Sequence, residues 1–293
     1  MKRIIQLLLI VISFSAFTAA KASDPLYQSA QKLSHEIKDM SDAEKSSAFE
    51  KFYLQHATEF KSEMGSNELD KFNALNLIAF YTLQNKYAFM MRNAFENIKK
   101  SNQALPTIYL DMYGTYIQLG LTGSIKEFYL KYSSHGLQPP PNFQISTKNA
   151  ITAWKIDSAA NTYTATRLPD NNYILVVGHP NCHFTRNAVN DILKNPELLA
   201  IFKQHSIWIT PPSRNFESDL IENWNKEYPD MTFLVPSQPS NYSVITSWET
   251  PTFYFIRDKN HVEIVQGWPR SGKINELISA AKKLFLAAPL APN

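Results

Sequence analysis

Tyr173-Ile-Leu-Val-Val-Gly178-His179-Pro180-Asn181-Cys182-His183-Phe184-Thr185 is the stretch on which the reading of the chain turns. Five residues from Tyr173 to Val177 form an apolar run too short for a helix and bounded by Gly178, which is the pattern of a buried strand. His179-Pro180-Asn181 ends it, and a helix opens with His183-Phe184-Thr185. Cys182 therefore stands at the first turn of a helix, where unpaired amide N–H groups and the positive end of the helix dipole both favour a thiolate. It is the one cysteine among 293 residues, and Thr185 occupies the position three residues on.

Outward toward the C-terminus, the spacing predicts strands at 206–210, 231–235, 252–257 and 261–266, and helices at about 182–194, 214–227 and 272–286. Ahead of them, Ile151–Ile156 and Thr162–Leu168 alternate at period two around Asp157-Ser-Ala-Ala-Asn161, as a hairpin does. Strands separated by helices, closed by a hairpin and a last helix, predict an α/β fold with a mixed sheet covered by helices on both faces.

Toward the N-terminus the pattern is helical. Ser41-Asp-Ala-Glu44 is a capping box ahead of Phe49, Phe52, Tyr53 and His56, and Asn67-Glu-Leu-Asp70 precedes Phe72, Leu75, Ile78 and Tyr81 at three-to-four spacing. Further helices are expected over 90–100, 106–119 and 124–132, with Pro106 in a first turn. Residues 24–134 are thus expected to form an all-α N-terminal domain, residues 135–145, with Gln138-Pro-Pro-Pro141, a Pro-rich linker, and residues 146–293 the α/β domain.

Met1-Lys2-Arg3, the apolar run Ile4–Phe17 and the small residues Thr18–Ala22 read as a signal peptide over residues 1–22. The apolar run falls short of the ~20 residues of a spanning helix. Its removal takes away Lys2, Arg3 and Lys21 and brings the formal charge from +3 to zero. Nothing in that balance, and no Lys/Arg cluster with interleaved aromatics, suggests a nucleic acid or another polyanion as partner. The expected location is periplasmic or secreted. With a single cysteine such a chain has no internal disulfide, and its stability rests on ordinary cores.

The order of elements over Pro169–Phe285 resembles the thioredoxin-like fold family. Three features carry the resemblance: Gly178-His-Pro-Asn-Cys182 between strand and helix; Trp248-Glu-Thr-Pro251-Thr-Phe-Tyr-Phe-Ile256, similar to the family's Thr-Pro entry into a core strand; and Val262-Glu-Ile-Val-Gln-Gly267 ahead of the last helix. The resemblance implies that Cys182 is the attacking thiol, that Pro251 is cis, and that the backbone at Thr250 and Pro251 pairs with an extended substrate. Cys182-His-Phe-Thr185 departs from the family's C-x-x-C. With no second thiol, a mixed disulfide needs an outside thiol to release it, and Thr185 takes the place of a resolving cysteine as a hydroxyl able to stabilise the thiolate. The implied activity is monothiol thiol–disulfide exchange with protein thiols or disulfides, dependent on an external thiol reductant.

Two other readings compete at the same residues. Cys-x-Phe-Thr after an apolar strand is similar to the thiol peroxidases of the glutathione peroxidase family, but Thr210-Pro-Pro-Ser-Arg-Asn-Phe216 lacks the glutamine that family carries there. A thioredoxin fold without its second cysteine also serves as a non-catalytic protein-binding module, with Cys182 as a core residue. His179 and His183 flank the thiol, but adjacent residues on a helix diverge, so no metal site is expected. No Walker, Rossmann or Ser-His-Asp signature appears, and no cofactor is expected.

Overall fold

The computed structural model describes residues 25–62, 67–101, 105–145 and 151–286. The expected signal peptide lies outside the described residues. Among the described residues, seven α-helices come first: α1 Leu26–Glu36, α2 Asp42–Gln55, α3 Ala57–Lys61, α4 Glu68–Thr82, α5 Asn85–Lys100, α6 Pro106–Gln118 and α7 Thr122–Tyr132. No strand precedes Asn142 among the described residues. Ser41 closes the capping box on α2 with Glu44, and Asn67 caps α4 by accepting from the Asp70 N–H.

The rest of the chain is α/β: β1 Asn142–Gln144, β2 Thr152–Asp157, β3 Thr162–Arg167, β4 Tyr173–Val177, α8 His183–Leu193, α9 Pro196–His205, β5 Ser206–Ile209, α10 Ser218–Glu227, β6 Phe233–Pro236, β7 Thr252–Arg257, β8 Asn260–Gln266 and α11 Ile274–Leu286. They build one mixed eight-stranded sheet in the order β1-β3-β2-β6-β5-β4-β7-β8. β4, β5 and β6 run parallel, β7 lies antiparallel beside β4, and β8 lies antiparallel beside β7. The hairpin β2–β3 extends the sheet through Ala153↔Pro236 and Trp154↔Val235.

Among the strands and α-helices of the α/β part, two elements differ from the sequence expectation. Residues 142–144, read as linker because of the prolines before them, form β1 and pair in parallel with β3. The stretch after Leu193, left without an element, contains α9, whose Asn195 accepts from the Leu198 N–H and whose Pro196 takes a first-turn position. There the proline starts a helix rather than ending one, because its missing N–H is unused at that position.

β4 and β7 are buried on both faces, as strands at the centre of a covered sheet must be. Ile174, Val176, Phe253 and Phe255 point into a cluster shared with α8, α9, α10 and α11, while Tyr173, Leu175, Val177, Tyr254 and Ile256 point to the other side. Among the described residues the second cluster draws on no α-helix. Helices on both faces were expected; instead Tyr242, Val244, Ile245 and Trp248, from the segment between β6 and β7, fill that side. Pro236 and Pro239 remove backbone donors from this segment, which explains why it crosses the sheet as a loop with one short 3-10 turn.

The α-helices and the sheet share one apolar cluster, which runs from Phe95 and Phe128 through Phe143 and Trp154 to Trp208 and Phe253. Polar contacts tie the same boundary. Arg214 donates to Gln118 Oε1 and to the Asn76 carbonyl, each at 3.2 Å, and its guanidinium lies 5.2 Å from the Phe80 ring centre. Burial pulls the Arg214 guanidinium below its ordinary value, and the Asp111 carboxylate opposes that pull. Gln138 exchanges two hydrogen bonds with the Phe216 backbone. α6 ends with Gly120 at φ +68°, its N–H bonded to the Ile117 carbonyl while the Leu121 N–H reaches Tyr116, and this left-handed corner lies directly against Ser237.

Candidate functional site

β4 and β7 are antiparallel neighbours with Val177 opposite Thr252. The residue run leaving β4 and the run entering β7 therefore emerge at the same end of the sheet, and this register brings together positions 68 residues apart. Cys182 is the N-cap of α8 (φ −80°, ψ 115°), with its N–H on the His179 carbonyl and its own carbonyl accepting from the Arg186 N–H. Its Sγ lies 3.5 Å from the Thr250 carbonyl oxygen. The Thr250–Pro251 peptide bond is cis, and the Pro251 carbonyl accepts from the Gly267 N–H at 2.8 Å.

Thr185 is fully buried beneath the turn, where its Oγ1 accepts from the His179 N–H at 3.4 Å. Cys182 is half-buried. Burial pushes its thiol up, but hydrogen bonds from the Thr250 side chain, from the Thr185 N–H and hydroxyl and from the Phe184 N–H outweigh that, and the thiol is held below its ordinary value. Thr250 acts in both directions. Its carbonyl accepts from the neutral thiol, and its hydroxyl donates to the thiolate.

The charged and titratable neighbours are engaged elsewhere. The Asn181 N–H donates to His179 Nδ1 at 3.2 Å, so Nε2 carries the ring proton and donates to Glu217 Oε2 at 3.2 Å. The His183 ring lies 3.8 Å from that of Phe184 between ring centres, tilted by 39°. Arg186 donates from Nε to the Pro180 carbonyl at 2.9 Å, reaches Glu227 at 3.9 Å and lies over Trp224. Glu249 accepts from Gln266. Among the described residues no group of three His, Cys, Asp or Glu side chains converges as a metal site would. No described helix is long and apolar enough to cross a membrane.

Of the four residues singled out from sequence, the fold brings Cys182, Thr185 and Thr250 to one sulfur, and Pro251 follows directly behind. Sequence reasoning passed over Glu217 and Arg186. Arg186 stands four residues after Cys182, one helical turn on, which is a signal that could have found it. Glu217 has no such local mark.

A Thr185→Val variant keeps the volume of the buried side chain and deletes its hydroxyl. The Cys182 thiol is expected to move up, and alkylation near pH 7 to slow by about three- to tenfold, because one hydrogen bond to the thiolate is lost. Labelling at the wild-type rate across pH would show that the hydroxyl does not act on the sulfur. Comparison of the chain with protein-family models, with curated proteins and with solved structures found no match.

Proposed function

We propose that residues 169–285 are a thioredoxin-like unit that performs thiol–disulfide exchange with Cys182 as its sole nucleophile. The observation that carries this reading is the meeting of a half-buried thiol, held below its ordinary value at the start of α8, with the half-buried Thr250 just ahead of β7. The order β5-β4-β7-β8, parallel then antiparallel, with α8 after β4 and α11 after β8, supports the thioredoxin-like part of the proposal.

In the proposed reaction the Cys182 thiolate attacks one sulfur of a partner disulfide. A Cys182–partner disulfide forms, the partner's other sulfur leaves as thiolate, and one proton passes to solvent when Cys182 ionises. An external thiolate then attacks the partner sulfur of the mixed disulfide, which returns Cys182 as thiolate and leaves the partner joined to the external thiol. Electrons balance within each exchange, and Thr185, having no sulfur, cannot store the oxidised state. On ionisation Cys182 gives up the proton it shares with the Thr250 carbonyl, so that oxygen becomes free to accept from a backbone N–H of an extended substrate. The proposed partners are proteins carrying thiols or disulfides, with a small external thiol as reductant. The proposed location is periplasmic or secreted, read from the N-terminal residues, and it fits a disulfide-bearing partner.

The test is capture. Incubated with a peptide disulfide, the folded protein is expected to gain the mass of one half-peptide at Cys182 and to lose it on addition of a small thiol. A protein that gains no adduct while folded contradicts the proposal.

A further inference from the structure

Asp42, the first residue of α2, has a role that its own helix does not require. Its Oδ2 accepts from the Trp248 N–H at 2.7 Å and from the Ser247 hydroxyl at 3.3 Å, across more than two hundred residues of chain. Ser247 is then held on every side: its Oγ accepts from the Glu249 N–H at 3.2 Å, its N–H donates to the Tyr254 hydroxyl at 2.8 Å, and that hydroxyl donates back to its carbonyl at 2.7 Å. The Glu249 carbonyl accepts from Thr252 Oγ1 at 2.7 Å. Residues 247–249 are thus fixed from both ends immediately before Thr250, the residue whose carbonyl and hydroxyl meet the Cys182 sulfur.

We propose that Asp42 is a positioning residue for the thiol site, through which the N-terminal helices set the direction of Thr250. The inference rests on the thiol chemistry proposed above. A hydroxyl stabilises a thiolate only when it points at it, and bonds linked in a chain hold one another in place more firmly than each does alone. Asp42 ends that chain on the helical side, its other oxygen, Oδ1, lying 4.0 Å from Lys45 Nζ on the same helix. Both donors converge on a single oxygen, so an amide oxygen serves as well as a carboxylate.

The experiment compares alkylation of Cys182 by iodoacetamide across pH in the full chain, in Asp42→Ala and in Asp42→Asn. In D42A the midpoint is expected to rise and the rate near pH 7 to fall by about three- to tenfold, as for a lost hydrogen bond to the thiolate. D42N is expected to follow the wild type. Both variants lose the charge that Asp42 places in the first turn of α2, so an effect through the helix alone moves them together. A D42A profile that superposes on the wild type, or a D42N profile displaced as far as D42A, overturns the proposal. If Cys182 of the wild type labels only after unfolding, the thiol reading itself has failed, and the role of Asp42 falls with it.

Discussion

Cys182→Ser is expected to abolish thiol–disulfide exchange altogether. The chain has no second sulfur nucleophile, since Cys182 is its one cysteine, and a serine hydroxyl is not ionised near neutral pH. The expected result is the loss of adduct formation with a peptide disulfide and of any turnover in the presence of a small thiol, with the fold retained. Retention follows from the position of Cys182: it is half-buried at an N-cap, serine is well suited to that position, and the sulfur belongs to neither apolar cluster. The measurement is exchange kinetics alongside circular dichroism and urea unfolding. Exchange at the wild-type rate in the folded variant would remove the basis of the proposed function. The variant also separates stability from chemistry. Because the fold holds the thiol below its ordinary value, its stabilising contribution is present above the thiol pKa of the unfolded chain and is lost as pH falls through the folded value. C182S is expected to lose that slope between the two values and to match the wild type at lower pH.

Gly120→Ala is expected to destabilise the whole molecule by more than about 4 kcal/mol, in the range where few single substitutions leave a marginal protein folded. A methyl group at this position would sit 1.7 Å from the Ser237 carbonyl oxygen, and the neighbouring atoms are backbone, which cannot swing away. The left-handed φ of +68° adds strain for any side chain. Gly136→Ala is the control, because Gly136 has a similar φ of +75° with nothing within 4 Å of the added methyl. It is expected to cost only about 1 kcal/mol. Urea midpoints for the two variants measure the close approach of the α6–α7 corner to the backbone just after β6 separately from the backbone strain. Equal, small losses in both would mean that the corner does not press on Ser237 in solution.

Elements with dense local signals were legible from sequence. β4 stood out as five apolar residues ended by Gly178, β7 as Thr252–Arg257, and α2 by its Ser41–Glu44 box. α9 was missed because Asn195-Pro196 looks like the close of one helix when it is the cap and first residue of the next. β1 was missed because three residues paired to a distant strand carry no period of their own. The covering of the second sheet face was misjudged for a related reason: Tyr242, Val244, Ile245 and Trp248 are spaced irregularly, and only the finished sheet gives them a common surface. At the candidate site the residues next to Cys182 in sequence were readable, since helix geometry places Thr185 beneath it. Thr250 was reachable through the Thr-Pro pattern. Glu217 and Asp42 were not, because each acts through a contact across 38 or more residues that no local pattern records.

The most direct measurement of the central claim is the rate of Cys182 alkylation against pH in the folded protein, with the urea-unfolded chain giving the intrinsic thiol. The account predicts rapid labelling of the folded protein with a midpoint below that of the unfolded chain. Labelling that waits for unfolding, or a folded midpoint at or above the unfolded one, would contradict it and leave Cys182 as a packing residue.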